Sequence, residues 1–458
     1  MPHQLSAHSS VCEAAEPIPE QWGRPVRFSN TQDIAGQEWR YFTLIPCGST
    51  ETVLCLVFSV DAVGHWAAGV KSVDGGRTFQ SDGASLVAPF AFWTHSGEQA
   101  VSVSHNLAIL RHGATYFIAG GLYARNTSWH KGTGIWLAHG PSWRFAPGDP
   151  QADAHLSFKP SAGPTPRGAI SEKTPTQWLD VRLAVTGFQP GCVERRRNEV
   201  LATRSEGDKM RTACEFDGRL TLVHHRGRFF LYTRLNSARS GHRFVQMTSS
   251  VDLRSWSRFV PIAVEGYNSH EEGSGHGNIY FWSASANPLD NGTMVALAPV
   301  SHHYRGCLGI SLSADGQHWS PITPLVGTAL DTAPCEEAER ASGACFDGKF
   351  VGQRTTHHPV TGVFHLGANV VFFVHENVPK IVDHAPPASR RPSRLMRYAV
   401  PASAFLCWTA CSRAWLKYRV QSRRSHEDLH DWQARSQRLA STIASPEVCR
   451  FEINKRIC

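Results

Sequence analysis

Two short elements of this chain set carboxylates beside a basic residue just ahead of apolar strand patterns. One is Ala213-Cys214-Glu215-Phe216-Asp217-Gly218-Arg219, and its echo is Ala344-Cys345-Phe346-Asp347-Gly348-Lys349. A further acid, Glu376, leaves the end of the apolar run Val370-Val371-Phe372-Phe373-Val374-His375. Hydrolysis of a glycosidic bond needs two carboxyl groups facing each other across it, one protonated as acid and one ionised as nucleophile or base. Glu215 or Asp217 on one side and Glu376 on the other form a candidate catalytic pair. The competing reading is that Phe-Asp-Gly is an ordinary turn in which Asp217 and Asp347 cap their own backbone. Strand alternation turns either Glu376 or its neighbours His375 and Asn377 toward the site. Residues suited to holding a sugar or an acidic group accompany these acids: Asn106, Arg219, Arg354, His357 and His375, with His105 and His358 beside them. The arginine fork matches a carboxylate or sulfate, while imidazoles and amides bond hydroxyls. Residues 269–276 gather two acids and two histidines, which read as a solvated loop or a cation-binding one.

Several other chemistries are excluded or left without support. The 12 cysteines include no CxxC and no paired Cys/His cluster, so no metal site is expected, and no cofactor either. No Gly-x-Ser-x-Gly elbow supports a serine nucleophile. The net charge of +8 is concentrated in the tail, where the ten basic residues from Arg413 to Arg456 outnumber the acids by five. With no nucleic-acid motif beside it, that tail predicts no nucleic-acid partner. No stretch approaches the roughly 18 apolar residues of a membrane span, and residues 1–21 do not read as a signal peptide. Cys335 and Cys345 bracket a segment that a disulfide could staple, and Asn126-Thr127-Ser128 and Asn291-Gly292-Thr293 are glycosylation sequons. These features lean toward the secretory pathway; buried free thiols and chance sequons are the alternative. A monomer is expected.

The elements that must position the acids are short strands. Apolar runs such as Val53 to Phe58, Leu220 to Val223 with Arg228 to Thr233, and Val363 to Leu366 recur with Gly-containing turns and without intervening amphipathic helices. This predicts an all-β fold in which five blades are countable, with six as the alternative. Residues 150–211 read as a long insertion between blades, with a weak strand pattern at Leu179 to Val185. The strand pattern from Trp39 to Ile45 is expected to close the ring by completing the last blade. The expected organisation is a flexible segment 1–21, a propeller 22–410 and a basic tail 411–458, helical or disordered.

The turns carry a recurrent signature. Ser72-Val73-Asp74-Gly75-Gly76-Arg77-Thr78-Phe79 is repeated in Ser250-Val251-Asp252-Leu253-Arg254-Ser255-Trp256 and in Ser313-Ala314-Asp315-Gly316-Gln317-His318-Trp319. A worn copy runs from Gly134 to Trp143 without the aspartate. These turns fall about 60 residues apart, or about three times that across the insertion, a period typical of repeat architectures. In them the chain resembles the Asp-box turns of sialidase-like β-propellers, and it is also similar to the five-bladed propellers of furanosidases. The resemblance spans about Val53 to Pro401. It implies a propeller whose ligand site lies in the funnel at one end of the central axis, and a divergent glycoside hydrolase acting on carbohydrate. A glycan- or protein-binding propeller without catalysis is the alternative. In Phe42-Thr43-Leu44-Ile45-Pro46, Leu44 stands where sialidases carry a carboxylate-gripping arginine. A tyrosine paired with an acid serves as the sialidase nucleophile, and Tyr398 follows Arg397 in a late strand. No catalytic residue is carried over from either family.

Overall fold

The computed structural model describes residues 23–29, 39–60, 66–87, 91–93, 99–124, 132–140, 157–158, 179–186, 219–236, 243–265, 267, 278–302, 305–328, 357–378 and 393–425. They form an all-β propeller with one C-terminal helix. Five antiparallel meanders are described, named here blades I to V. Each begins with an inner strand: Trp39–Pro46, Gln99–His112, Thr221–His225, Ser283–Ala286 and His358–Leu366. Each inner strand touches the next, and that of blade V touches that of blade I, with Thr361 in parallel register against Thr43.

Apolar runs without alternation are the sequence signature of this arrangement, because every sheet is covered on both faces. In blade V, Val370, Phe372 and Val374 of Asn369–Glu376 face blade IV, whereas Val371 and Phe373 face blade I. In blade III, Phe230 and Tyr232 face blade IV, while Phe229 and Leu231 face blade II. The hydrophobic core therefore lies between blades.

Closure is shared by two segments: Trp39–Pro46 pairs with the inner strand of blade V, and a shorter segment completes the outer edge of that blade. Trp39–Pro46 is the inner strand of blade I, paired antiparallel with Leu54–Val60. The strand that completes blade V is Gly23–Pro25, paired antiparallel with Arg394–Pro401 through Gly23 opposite Tyr398. The chain then crosses to blade I, where Arg27–Ser29 runs parallel to Thr78–Gln80. Within the insertion, Leu179–Thr186 returns as the outermost strand of blade II, against Gly132–Gly140. The helix Ala402–Ser425 buries Phe405, Trp408 and Trp415, and Trp408 Nε1 donates to Thr323 Oγ1 at 3.1 Å. Arg413 pairs with Asp290 at 2.9 Å, so the helix seals the outer side of blades IV and V.

The three Ser-x-Asp turns share one bonding scheme. Asp74 Oδ1 accepts from Arg77 N and Thr78 N, each at 2.9 Å, and from Ser72 Oγ at 2.7 Å. Asp252 accepts from Arg254 N and Ser255 N, and Asp315 from Gln317 N and His318 N. Behind the turns, Phe79 and Trp319 are buried, and Trp319 Nε1 donates to Gly316 O at 2.9 Å. Burial pushes the Asp315 carboxyl up, but its bonds to the His318 backbone and ring and to Gln317 N outweigh this and hold it below the usual carboxylate range.

A group whose folded pKa is depressed leaves the folded state binding fewer protons than the unfolded one. Its contribution is present above the unfolded pKa and is lost as pH falls through the folded one. Asp315→Ala is therefore expected to cost about 1–2 kcal/mol at pH 7, from hydrogen bonds to a charged acceptor. Urea unfolding checks this at pH 7 and again in acid below the usual carboxylate range, where the difference between variant and wild type should shrink.

Candidate functional site

The inner strands begin at one end of the axis, and three of them are irregular. Register shifts interrupt blade I between Arg40 and Thr43, blade II between Val103 and Ala108, and blade V between Pro359 and Val363. Such bulges re-aim side chains, and they are common beside active sites. In blade I the result is Tyr41 at φ 54°, a left-handed conformation that is costly for a tyrosine.

Tyr41 meets rings from two other blades. Its hydroxyl lies 3.3 Å from that of Tyr280, which precedes the inner strand of blade IV. Both rings are near-parallel to the His358 imidazole at the start of blade V, with centroids 5.9 Å and 5.4 Å away and tilts of 20° and 22°. Phe281 meets the edges of Tyr41 and His358. Tyr41 and Tyr280 are half-buried, whereas His358 and Phe281 are buried beneath them. The arrangement is a partly open aromatic face assembled from blades I, IV and V, edged by two hydroxyls.

Arg219, just ahead of the inner strand of blade III, lies under this face and is 1% exposed. It donates from Nη1 to Pro359 O at 3.1 Å, and from Nη2 to Phe42 O and to Thr43 Oγ1, the latter at 2.7 Å. Its guanidinium carbon sits 5.5 Å from the Phe281 ring centroid. Burial lowers its pKa to about 9, with Tyr41 opposing the shift. Arg234 of blade III lies over the Tyr280 ring at 5.9 Å.

Glu376 ends the second strand of blade V and is 4% exposed. Its Oε1 accepts from the Tyr398 hydroxyl and its Oε2 from Arg394 Nε, both at 2.7 Å. The carboxylate is thus turned toward the third strand of its own blade. Tyr398 stacks on Phe372 at 5.3 Å and is buried. His375, on the opposite face, meets the Phe42 ring edge-on at 4.8 Å and bonds Ser393 Oγ at 2.7 Å. His357 Nδ1 accepts from Asn377 N at 3.4 Å. Asn106 and His105 lie in the inner strand of blade II, within its irregular stretch.

Glu215, Asp217 and Arg354 lie outside the described residues, as do the 269–276 loop, Asn126, Cys335 and Cys345. Within the described residues Cys47 and Cys55 form a disulfide that clips the hairpin joining the first two strands of blade I. Among the described residues no group of three or more His, Cys, Asp or Glu is placed to hold a metal, and no helix is long and apolar enough to cross a membrane. The two tyrosines of the aromatic face carry no local sequence signal, because they are 239 residues apart and meet only through the ring of blades. Tyr398→Phe is expected to cost about 1–2 kcal/mol in urea unfolding, the value of one buried hydrogen bond to a charged acceptor.

No protein-family model matches the chain, and no curated protein matches it in sequence. Solved structures similar to it include an N-acetylgalactosamine deacetylase from F. plautii, at 12% identity and TM-score 0.44, covering 85% of this chain and 96% of that one. A family 117 glycoside hydrolase from Zobellia galactanivorans aligns at 9% identity and TM-score 0.40, over 85% of this chain and 91% of that one. A sialidase from Trypanosoma rangeli aligns at 12% identity and TM-score 0.37, over 83% of this chain and 57% of that one.

Proposed function

We propose that the protein acts on carbohydrate, and that it binds a sugar ring against the axial face formed by Tyr41, Tyr280 and His358. The observation that carries this reading is the half-buried pair of tyrosines from two blades, with hydroxyls 3.3 Å apart above a buried, near-parallel imidazole. A sugar presents an apolar face of C–H groups ringed by hydroxyls. Aromatic rings cover the face, and the tyrosine hydroxyls bond the rim. The Ser-x-Asp turns are read as Asp-boxes that lock the blades and take no part in binding.

Hydrolysis by two carboxylates is the second reading, and the acid Glu376, buried in blade V next to His375, favours it. In that mechanism Glu376 and either Glu215 or Asp217 flank the scissile bond, with Asn106, Arg354, His357 and His375 bonding the substrate. Because both Glu376 oxygens are engaged by Tyr398 and Arg394, catalysis by this acid requires one of those bonds to open on binding.

The test is a glycan-binding screen of the purified protein run beside an aryl-glycoside hydrolysis screen. Retention of a glycan, lost in Tyr280→Ala, is the expected result. Turnover lost in Glu215→Gln with binding intact supports the two-carboxylate mechanism. Binding without turnover on any substrate removes it and leaves a glycan-binding propeller.

A further inference from the structure

One guanidinium meets all three chain segments that carry the axial rings. Phe42, whose carbonyl accepts from Arg219, follows Tyr41; Pro359, whose carbonyl also accepts, follows His358; and Phe281, whose ring Arg219 covers, follows Tyr280. The first two contacts fall at the register shifts of blades I and V, where the regular ladder is broken. A backbone carbonyl left unpaired inside a fold is costly, and here a side chain from a further blade supplies the missing donors.

We propose that Arg219 is a positioning residue that sets Tyr41, His358 and Tyr280 in register with one another. The relevance to sugar rests on the proposed function, whereas the positioning itself does not. Arg219 is almost fully buried, pairs with no carboxylate among the described residues, and leaves its Nε without a hydrogen-bond partner. A buried charge held, among the described residues, by carbonyl and hydroxyl dipoles and one ring face is a poor device for stability, and an apolar residue of similar volume is often as stable or more so. A planar fork, however, fixes direction as well as distance, and this one spans two backbone carbonyls and a hydroxyl on different blades. Lysine keeps the charge but offers one nitrogen, which cannot reach all three acceptors at the same angles.

The experiment uses full-length protein with 13C-labelled histidine and follows the His358 ring proton, assigned by its loss in His358→Gln. In the wild type, two nearby tyrosine rings displace this resonance from the position of a free imidazole. Arg219→Lys and Arg219→Met are expected to move it back toward that position while the β circular-dichroism spectrum is retained, with lysine failing to rescue. Should either variant not fold, Thr43→Val removes a single acceptor and should move the resonance in the same direction by less. A His358 resonance unchanged in a folded Arg219→Met, or unchanged in Thr43→Val, overturns the proposal. Because no sugar is present, a failure here is distinct from a failure of the glycan screen.

Discussion

Replacing Gly76 by alanine is expected to destabilise the protein by about 3 kcal/mol, a large share of the 5–15 kcal/mol that holds a typical domain together. Gly76 sits in the Ser-x-Asp turn of blade I at φ +80°, and a Cβ there would lie 2.3 Å from Cζ of Phe373 in blade V. Two costs add. The left-handed conformation costs an L-residue about 1–2 kcal/mol, and forcing a close-packed ring aside costs about 1–3 kcal/mol more. Phe373 has little room to move, being fully buried and edge-on to Phe79 at 6.3 Å. Gly113 provides the control, with φ +60° and nothing within 4 Å of its would-be Cβ, so Gly113→Ala should show only the conformational part. Urea unfolding of the two variants separates the terms; equal losses would mean that the turn does not lock blade I to blade V.

Tyr280→Ala is expected to weaken glycan binding by about 2 kcal/mol, or roughly 30-fold, as truncating an aromatic anchor in a binding site commonly does. Tyr280→Phe keeps the ring and removes the hydroxyl, and should cost less than about 1 kcal/mol. Titration calorimetry with a glycan retained in the screen reads both. An effect of Tyr280→Phe as large as that of Tyr280→Ala would assign the binding to the hydroxyl and not to the ring face.

Much of the architecture is legible in the sequence because it is written locally. In each Ser-x-Asp turn the aspartate, its backbone donors and the aromatic that follows lie within eight residues, so Asp74, Asp252 and Asp315 mark their turns unaided. The runs Val370 to Val374 and Phe229 to Tyr232 read as strands because neighbouring blades cover both of their faces. The outer strand of blade V is not legible: Gly23–Pro25 is three residues long, shows no alternation, and is defined only by its register against Arg394–Pro401. Trp39–Pro46 has the stronger strand pattern for the opposite reason, that it lies innermost.

The site is harder to read than the fold. Glu376 stands out as an acid at a strand end, but its partners Arg394 and Tyr398 become visible only once the second and third strands of blade V are paired. Arg219 is conspicuous through the acids before it, yet its hydrogen-bond acceptors lie 140 to 177 positions away. The aromatic face has no sequence period at all, since each ring comes from the start of a different blade.

The decisive measurement is a crystal structure of the protein with a glycan retained in the binding screen. A sugar ring is expected within about 4 Å of the Tyr41 and Tyr280 rings, the distance of van der Waals contact. A glycan bound elsewhere on the propeller, with those two rings uncovered, would contradict it.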